Sequence, residues 1–200
     1  MKRFLSNAVV LFVLACAPSL LSAQTPSQTP SIDFGRTTIQ LNPGFLNSVQ
    51  ALGASITDLH GNAIQNSSIT FRATGGALDL TTSAGEVEHT GGLLINAAGT
   101  ILRIQNLTFD SSNPAAPIVT AEFIVNDHFV ARMALYNVQP PAGATLPLQP
   151  QNGVLQVNGL GLTLASATAS AINAVLGGQY VQAGTPIGTA NVYLVFSPVN

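Results

Sequence analysis

The chain has 200 residues, of which only six are basic and eight acidic, for a formal net charge of −2 at pH 7. Lys2 is the sole lysine; beyond residue 23, four arginines (Arg36, Arg72, Arg103 and Arg132) face all eight acids, a net charge of −4. So few cations exclude the electrostatic footprint that nucleic acid or an anionic membrane surface requires, and 46% hydrophobic residues exclude the composition of a disordered chain.

Residues 1–23 read as a secretory signal. Lys2 and Arg3 form a basic head, Ala8 to Ala17 an apolar run, and Leu21-Ser22-Ala23 a small-residue cleavage site before Gln24. The apolar run is too short to span a bilayer, and no later stretch approaches eighteen uninterrupted apolar residues. The expected mature protein is therefore exported, to the periplasm or beyond the cell, without a transmembrane segment. A competing reading takes Val13-Leu14-Ala15-Cys16 as a lipobox with Cys16 lipidated, although Leu14 suits that motif poorly. Cys16 is the only cysteine, so a chain cleaved at Ala23 holds neither a disulfide nor thiolate chemistry. Residues 24–31 repeat Gln-Thr-Pro-Ser and read as a polar tether, with one β-rich domain expected over 32–200.

From Ile32 onward the apolar period is mostly two. Thr37 to Leu41 alternates, and Ile69 and Phe71 share a face in the next run. Leu102 and Ile104 face in while Arg103 and Gln105 face out. Ile118 to Val125 and Phe129 to Val138 predict a hairpin about Asn126-Asp127, and strands are expected at 154–157 and 190–196. Two segments read as helices. Ser166 is placed to cap a run from Ala167 to Leu176 that stops at Gly177, with Ala169, Ile172, Val175 and Leu176 on one face; a weaker helix runs from Phe45 to Leu52 and stops at Gly53. Each follows a short strand and ends Leu-Gly, which suggests a pseudo-repeat of two units packed side by side. Residues 139–152 carry too many helix and strand breakers for a ladder strand and read as a crossing between halves or a binding loop. The fold expected is all-β, a single sandwich or flattened barrel with one or two short helices; the alternative is an α+β arrangement with the helices on one sheet face.

The most distinctive stretch is 74–93, where two glycine pairs bracket two short strands and predict a β-arch or bulged hairpin. Asp79, Glu86, Glu88 and His89 all fall here. On a strand Glu86 and Glu88 share a face and His89 points the other way, which argues against a local three-ligand metal site. The plain reading is solvated carboxylates and a histidine in a turn. His60 and His128 read as exposed turn residues, and Tyr136 and Tyr180 as core or interface filler. Signatures of serine hydrolases, zinc proteases, P-loops and dinucleotide-binding folds are missing. Asn66-Ser67-Ser68 and Asn106-Leu107-Thr108 match glycosylation acceptors, the second within a predicted strand.

The islands Gly75-Gly76-Ala77-Leu78-Asp79, Gly85 to Leu93 and Ala183 to Ala190 resemble the haem-transport-associated (HtaA-type) domain family, as a pattern over roughly residues 36–195. They are more similar to exported bacterial relatives with the core GG-x-LD…G-x-[IV]-x-H-x-GGL. The resemblance implies a β-rich fold and haem as a possible cofactor. The family's ligand tyrosine follows an early Trp-Gly and a Ser-Phe-Arg segment, whereas this chain has no Trp and no Tyr before Tyr136. The family also carries Phe-x-Gly-His-x-Gly before its Leu-Asp; here Phe71-Arg72-Ala73-Thr74-Gly75-Gly76 lacks the histidine. The family's haem ligands therefore do not carry over, and His89 and Tyr180 are the remaining candidates for cofactor binding. A haem site would need one of them as an axial ligand in an apolar pocket.

Three functions follow as expectations. The first is an exported, non-enzymatic envelope or extracellular module that binds an envelope protein, polysaccharide or small ligand. The second is a carrier of haem or a hydrophobic small ligand, and the third a hydrolase using Asp79, Glu86 or Glu88. No catalytic residue or metal site is assigned.

Overall fold

The computed structural model describes residues 29–197, so the expected signal and most of the tether lie outside the described residues. Ten strands and two helices follow in the order β1 (Ile32–Leu41), α1 (Pro43–Ala51), β2 (Ser55–Asp58), β3 (Ser68–Leu78), β4 (Gly85–Thr90), β5 (Gly92–Ala97), β6 (Thr100–Asp110), β7 (Ile118–Val125), β8 (His128–Gln139), β9 (Val154–Leu164), α2 (Ser166–Leu176) and β10 (Pro186–Phe196). Eight of the strands close a barrel in the order β6-β4-β3-β1-β10-β9-β8-β7, and β7 returns to β6. Every pairing is antiparallel. Closure removes most of the exposed edge that an open sheet would carry.

The strand β6 explains the two extra strands. Its first half, Thr100 to Gln105, pairs with β5, and its second half, Thr108 to Asp110, pairs with β4 on the same edge. The strand β2 then lies outside β5, pairing from Ser55 with Asn96 to Asp58 with Leu93. Of the sandwich and the flattened barrel expected from period-two patterning, a closed barrel is the one realised. Pro30 and Ser31, assigned to the tether, are tied to it: the Leu78 N–H donates to the Pro30 carbonyl, and the Ser197 N–H to the Ser31 carbonyl at 2.9 Å.

The strands point as their alternation predicts. Val87 and His89 of β4 face in, while Glu86, Glu88 and Thr90 face out. Apolar side chains line the inside, and Arg36, Gln40, Thr70 and Arg72 are exposed outside, the reverse of a transmembrane barrel, whose lipid face is apolar. No helix among the described residues is long and apolar enough to cross a membrane. The β7–β8 hairpin turns on Asn126 (φ +46°) and Asp127 (φ +65°), the two left-handed residues that a two-residue turn needs to match strand twist.

Both helices sit at one end of the barrel. They follow directly on β1 and β9, which flank β10 and run antiparallel to it. The two strand–helix units that the sequence suggested are therefore separated by β10 in the sheet, and they meet through their helices. Leu176 of α2 joins Val49 and Phe45 of α1 in a small cluster with Ala54, Ile56, Ile95 and Ala97. Asn42 caps α1, its Oδ1 accepting the Gly44 N–H at 2.8 Å, and Pro43 starts the first turn.

For α2 the expected cap is corrected: Ala165 occupies that position, no side chain caps it, and Ser166 is the first helical residue. The start of the helix is instead fixed by contact with β8. Pairing of β9 with β8 stops at Leu164 opposite Tyr136. The Ala165 N–H then donates to the Leu135 carbonyl, and the fully buried Thr168 hydroxyl donates to the Ala134 carbonyl at 2.6 Å. Thus the helix satisfies the strand edge that β9 leaves. Gly177 (φ +70°) ends α2 as expected.

Candidate functional site

Inside the end of the barrel opposite the helices lies a cavity of ≈ 290 Å³, at the lower edge of the roughly 300–1,000 Å³ usual for small-ligand pockets. Its floor is the top of the main core: Ile39 of β1, Phe71 of β3, Leu107 of β6, Leu162 of β9 and Ala190 of β10 belong to both. Val87, Phe109, Leu155, Val157 and Leu194 form walls shared with a second apolar cluster. Three connections surround the mouth. The turn after β3 brings Ser83, the β6–β7 connection brings Pro114 and Pro117, and the long 140–153 connection brings Pro140, Pro141, Leu146 and Leu148. Of the expected loop 139–152, Gln139 ends β8; the rest forms no strand, as its breakers predicted, and lies across the mouth. The Leu148 N–H donates to the Leu80 carbonyl at 2.6 Å and ties it to the β3–β4 turn. Leu146 remains 54% exposed.

Five lining residues carry polar side chains: Thr37, Ser83, His89, Ser111 and Thr145. The Ser111 hydroxyl is used internally, donating to the Ser83 carbonyl at 2.6 Å. His89 is 7% exposed, and its Nε2 lies 2.8 Å from the Thr37 Oγ1. Burial pushes the ring's pKa down from 6.5 to about 4, because an imidazolium there would lose its water; the carbonyls of Val87 and Leu107, accepting from the ring, oppose the shift. At neutral pH the cavity therefore contains one uncharged imidazole and no lining Lys, Arg, Asp or Glu.

The expectation of a histidine in a turn is corrected for His89, which lies within β4 and points inward. The bulged hairpin is as expected: β3 and β4 shift register between Ala73 and Gly75, and Gly76 adopts φ +113°. There a Cβ would lie 2.1 Å from the Glu86 carbonyl oxygen. Glu86 and Glu88 point out of the barrel. Asp79 closes the β3–β4 turn, its Oδ1 accepting the N–H groups of Thr81 (2.7 Å) and Thr82 (3.0 Å). The three acids of the hydrolase reading are thus not brought together with His89.

Tyr180 is 47% exposed between α2 and β10, and its N–H donates to the Asn173 Oδ1 of α2. It belongs to the helix end and does not line the cavity. His60 and His128 are exposed, as expected. Tyr136 is buried within β8, and burial raises the pKa of its phenol. Among the described residues, no three His, Asp or Glu side chains come together as a metal site.

Thr37 is the site residue that sequence reasoning passed over. The signal was present: in the alternating run Thr37-Thr38-Ile39-Gln40-Leu41, it is a hydroxyl on the face that otherwise carries Ile39 and Leu41. The lining prolines gave no such signal, since breakers mark a loop without saying what it covers.

Solved structures share this fold. The C-terminal domain of HtaA from Corynebacterium glutamicum superposes with a TM-score of 0.64 at 13% identity, over 84% of this chain and 99% of that one. For the N-terminal domain of the same protein the TM-score is 0.56 at 14% identity, with the same coverage of 84% and 99%. A domain-swapped dimer of a variant C-terminal domain matches at 0.53 and 13% identity, over 77% and 91%. The chain therefore has the fold of HtaA domains. No family model matches it, and neither does any curated protein.

Proposed function

We propose that the protein is an exported, non-enzymatic carrier of one small apolar ligand, held in the cavity at the loop-covered end of the barrel. The observation that carries this reading is the cavity itself. A barrel interior is ordinarily filled by side chains at crystal-like density; this one is filled at one end only, and the hollow is apolar with a single buried histidine. Exposed carboxylates, an uncharged lining and a basic-poor chain support binding over catalysis. The leader-like residues 1–23 support export.

The residues do not fit haem. His89 meets the condition of an imidazole in an apolar pocket, but its Nε2 is engaged by Thr37. No basic side chain lines the cavity to meet two propionates, and Tyr180 lies at the other end. Likeness of fold to HtaA domains carries no ligand with it.

The test is titration of the exported protein, expressed with its own leader, with an uncharged apolar fluorophore such as N-phenyl-1-naphthylamine. Saturable one-to-one binding is expected, abolished by Val157→Phe, which fills the cavity, and unchanged by Tyr180→Phe. Absent binding, or binding indifferent to Val157→Phe, would overturn the proposal.

A further inference from the structure

Resting on the reading of the cavity as a ligand site, we infer that its ligand is an uncharged amphiphile, whose one hydrogen-bonding group meets the Thr37–His89 pair on the cavity wall and whose apolar body fills the rest. Fatty carboxylates and haem, which are anionic, are refused.

Two features of the cavity lead here. The first is what the lining omits. All four arginines of the described chain lie elsewhere: Arg36 stacks on Tyr193 outside the barrel (5.1 Å), Arg103 pairs with Asp127, and Arg132 with Glu122. Arg72 is exposed on the outer face of β3. No cation is left to pair with a buried anion, and an unpaired charge taken out of water is costly. The mouth offers no refuge for a charged head, because Pro114, Pro117, Pro140, Pro141 and Leu146 line it. The net charge of −4 beyond residue 23 also opposes an anion's approach.

The second feature is where the lining is polar. Ser111 spends its hydroxyl on backbone carbonyls. Thr37 has a different partner: its one hydrogen bond goes to His89, another lining residue. With the neutral ring's single N–H directed to a backbone carbonyl, Nε2 accepts from the Thr37 hydroxyl, which spends its one donor there and keeps only its acceptor positions. A ligand hydroxyl or N–H can complete it, whereas a carboxylate, which only accepts, cannot. The pair sits among Ile39, Phe71 and Leu107, where water would find few other partners. One neutral polar group on an apolar body is the complementary shape.

The experiment displaces bound N-phenyl-1-naphthylamine at pH 7 with dodecanol, dodecane, dodecanoate and haemin. Dodecanol is expected to compete about tenfold more tightly than dodecanoate, the ratio set by a poorly paired charge. Haemin should give neither one-to-one competition nor a Soret shift. In the double variant Thr37→Val/His89→Phe, which replaces both partners by apolar groups, the fluorophore should still bind while the advantage of dodecanol over dodecane falls about tenfold. Dodecanoate competing as well as dodecanol, stoichiometric haemin binding, or an alcohol preference unchanged in the double variant would each overturn the inference while leaving the cavity a ligand site. Failure of the fluorophore to bind the unmodified protein would overturn both.

Discussion

The two ends of this barrel are made by the same eight strands and differ in what closes them. At one end two helices cover the opening, and Ile187, Phe123 and Leu135 are almost wholly buried there or just beneath. At the other, three loops rich in proline and small residues cover it, and the interior is hollow. The contrast teaches that inward-facing apolar residues alone do not fill a barrel. An amphipathic helix adds side chains that reach into the core, as Ala169 and Ile172 do from α2. A proline-rich loop has its backbone held by turns and supplies rim instead of filling.

The largest expected effect breaks the packed end. Phe123→Ala should cost about 3–5 kcal/mol, because a fully enclosed ring leaves a cavity its neighbours cannot close; urea unfolding measures it. Next comes the pH response of the hollow end. His89 has a folded-state pKa of about 4 against 6.5 for an exposed imidazole. Between these values the unfolded chain binds a proton that the folded chain refuses, so stability is full above about pH 6.5, falls as the pH drops, and levels off below about 4. The loss attributable to this ring is at most about 3 kcal/mol. Unfolding of the wild type and of Thr37→Val/His89→Phe at pH 7, 5 and 4 should show the wild-type slope flattened in the variant.

Thr168→Val, at the helix end, leaves the Ala134 carbonyl without its donor and should cost about 1–3 kcal/mol. A smaller effect is expected from Val157→Phe at the hollow end, where there is room for the ring. The stability cost should fall below the roughly 1–3 kcal/mol of overpacking a filled core while ligand binding is lost, a separation of stability from binding that no substitution at the packed end should give. The smallest effect lies outside both ends. Arg36 and Arg72 are directly opposite on β1 and β3, and like charges so placed repel. Arg72→Glu should stabilise the protein by roughly 0.2–1 kcal/mol, less at high salt.

Much of the architecture is legible along the chain, because the controlling interactions are local. The β7–β8 hairpin is written in Asn126-Asp127 and the alternation on either side. The orientation of Glu86, Glu88 and His89 follows from strand parity alone, and Gly177 marks the end of α2. What sequence reasoning misjudged depends on neighbours far away in the chain. Ser166 has the chemistry of a cap, but α2 begins against β8, where Ala134 and Leu135 offer carbonyls 30 residues or so upstream, and the hydroxyl that matters is that of Thr168. His89 and Tyr180 had equal standing as candidates, because nothing local separates two ring side chains beside glycines; the strand carrying one and the loop carrying the other lead to opposite ends of the barrel.

By itself, then, the sequence determined the class of structure, the strand parity and the poverty of charge, since each depends on residue type and spacing of two or four. Only the tertiary structure decided that the sheet closes, which end is hollow, and that Thr37 meets His89 across 52 residues of chain. Closure and cavity are sums over contacts among all the strands, and a void has no residue of its own to announce it.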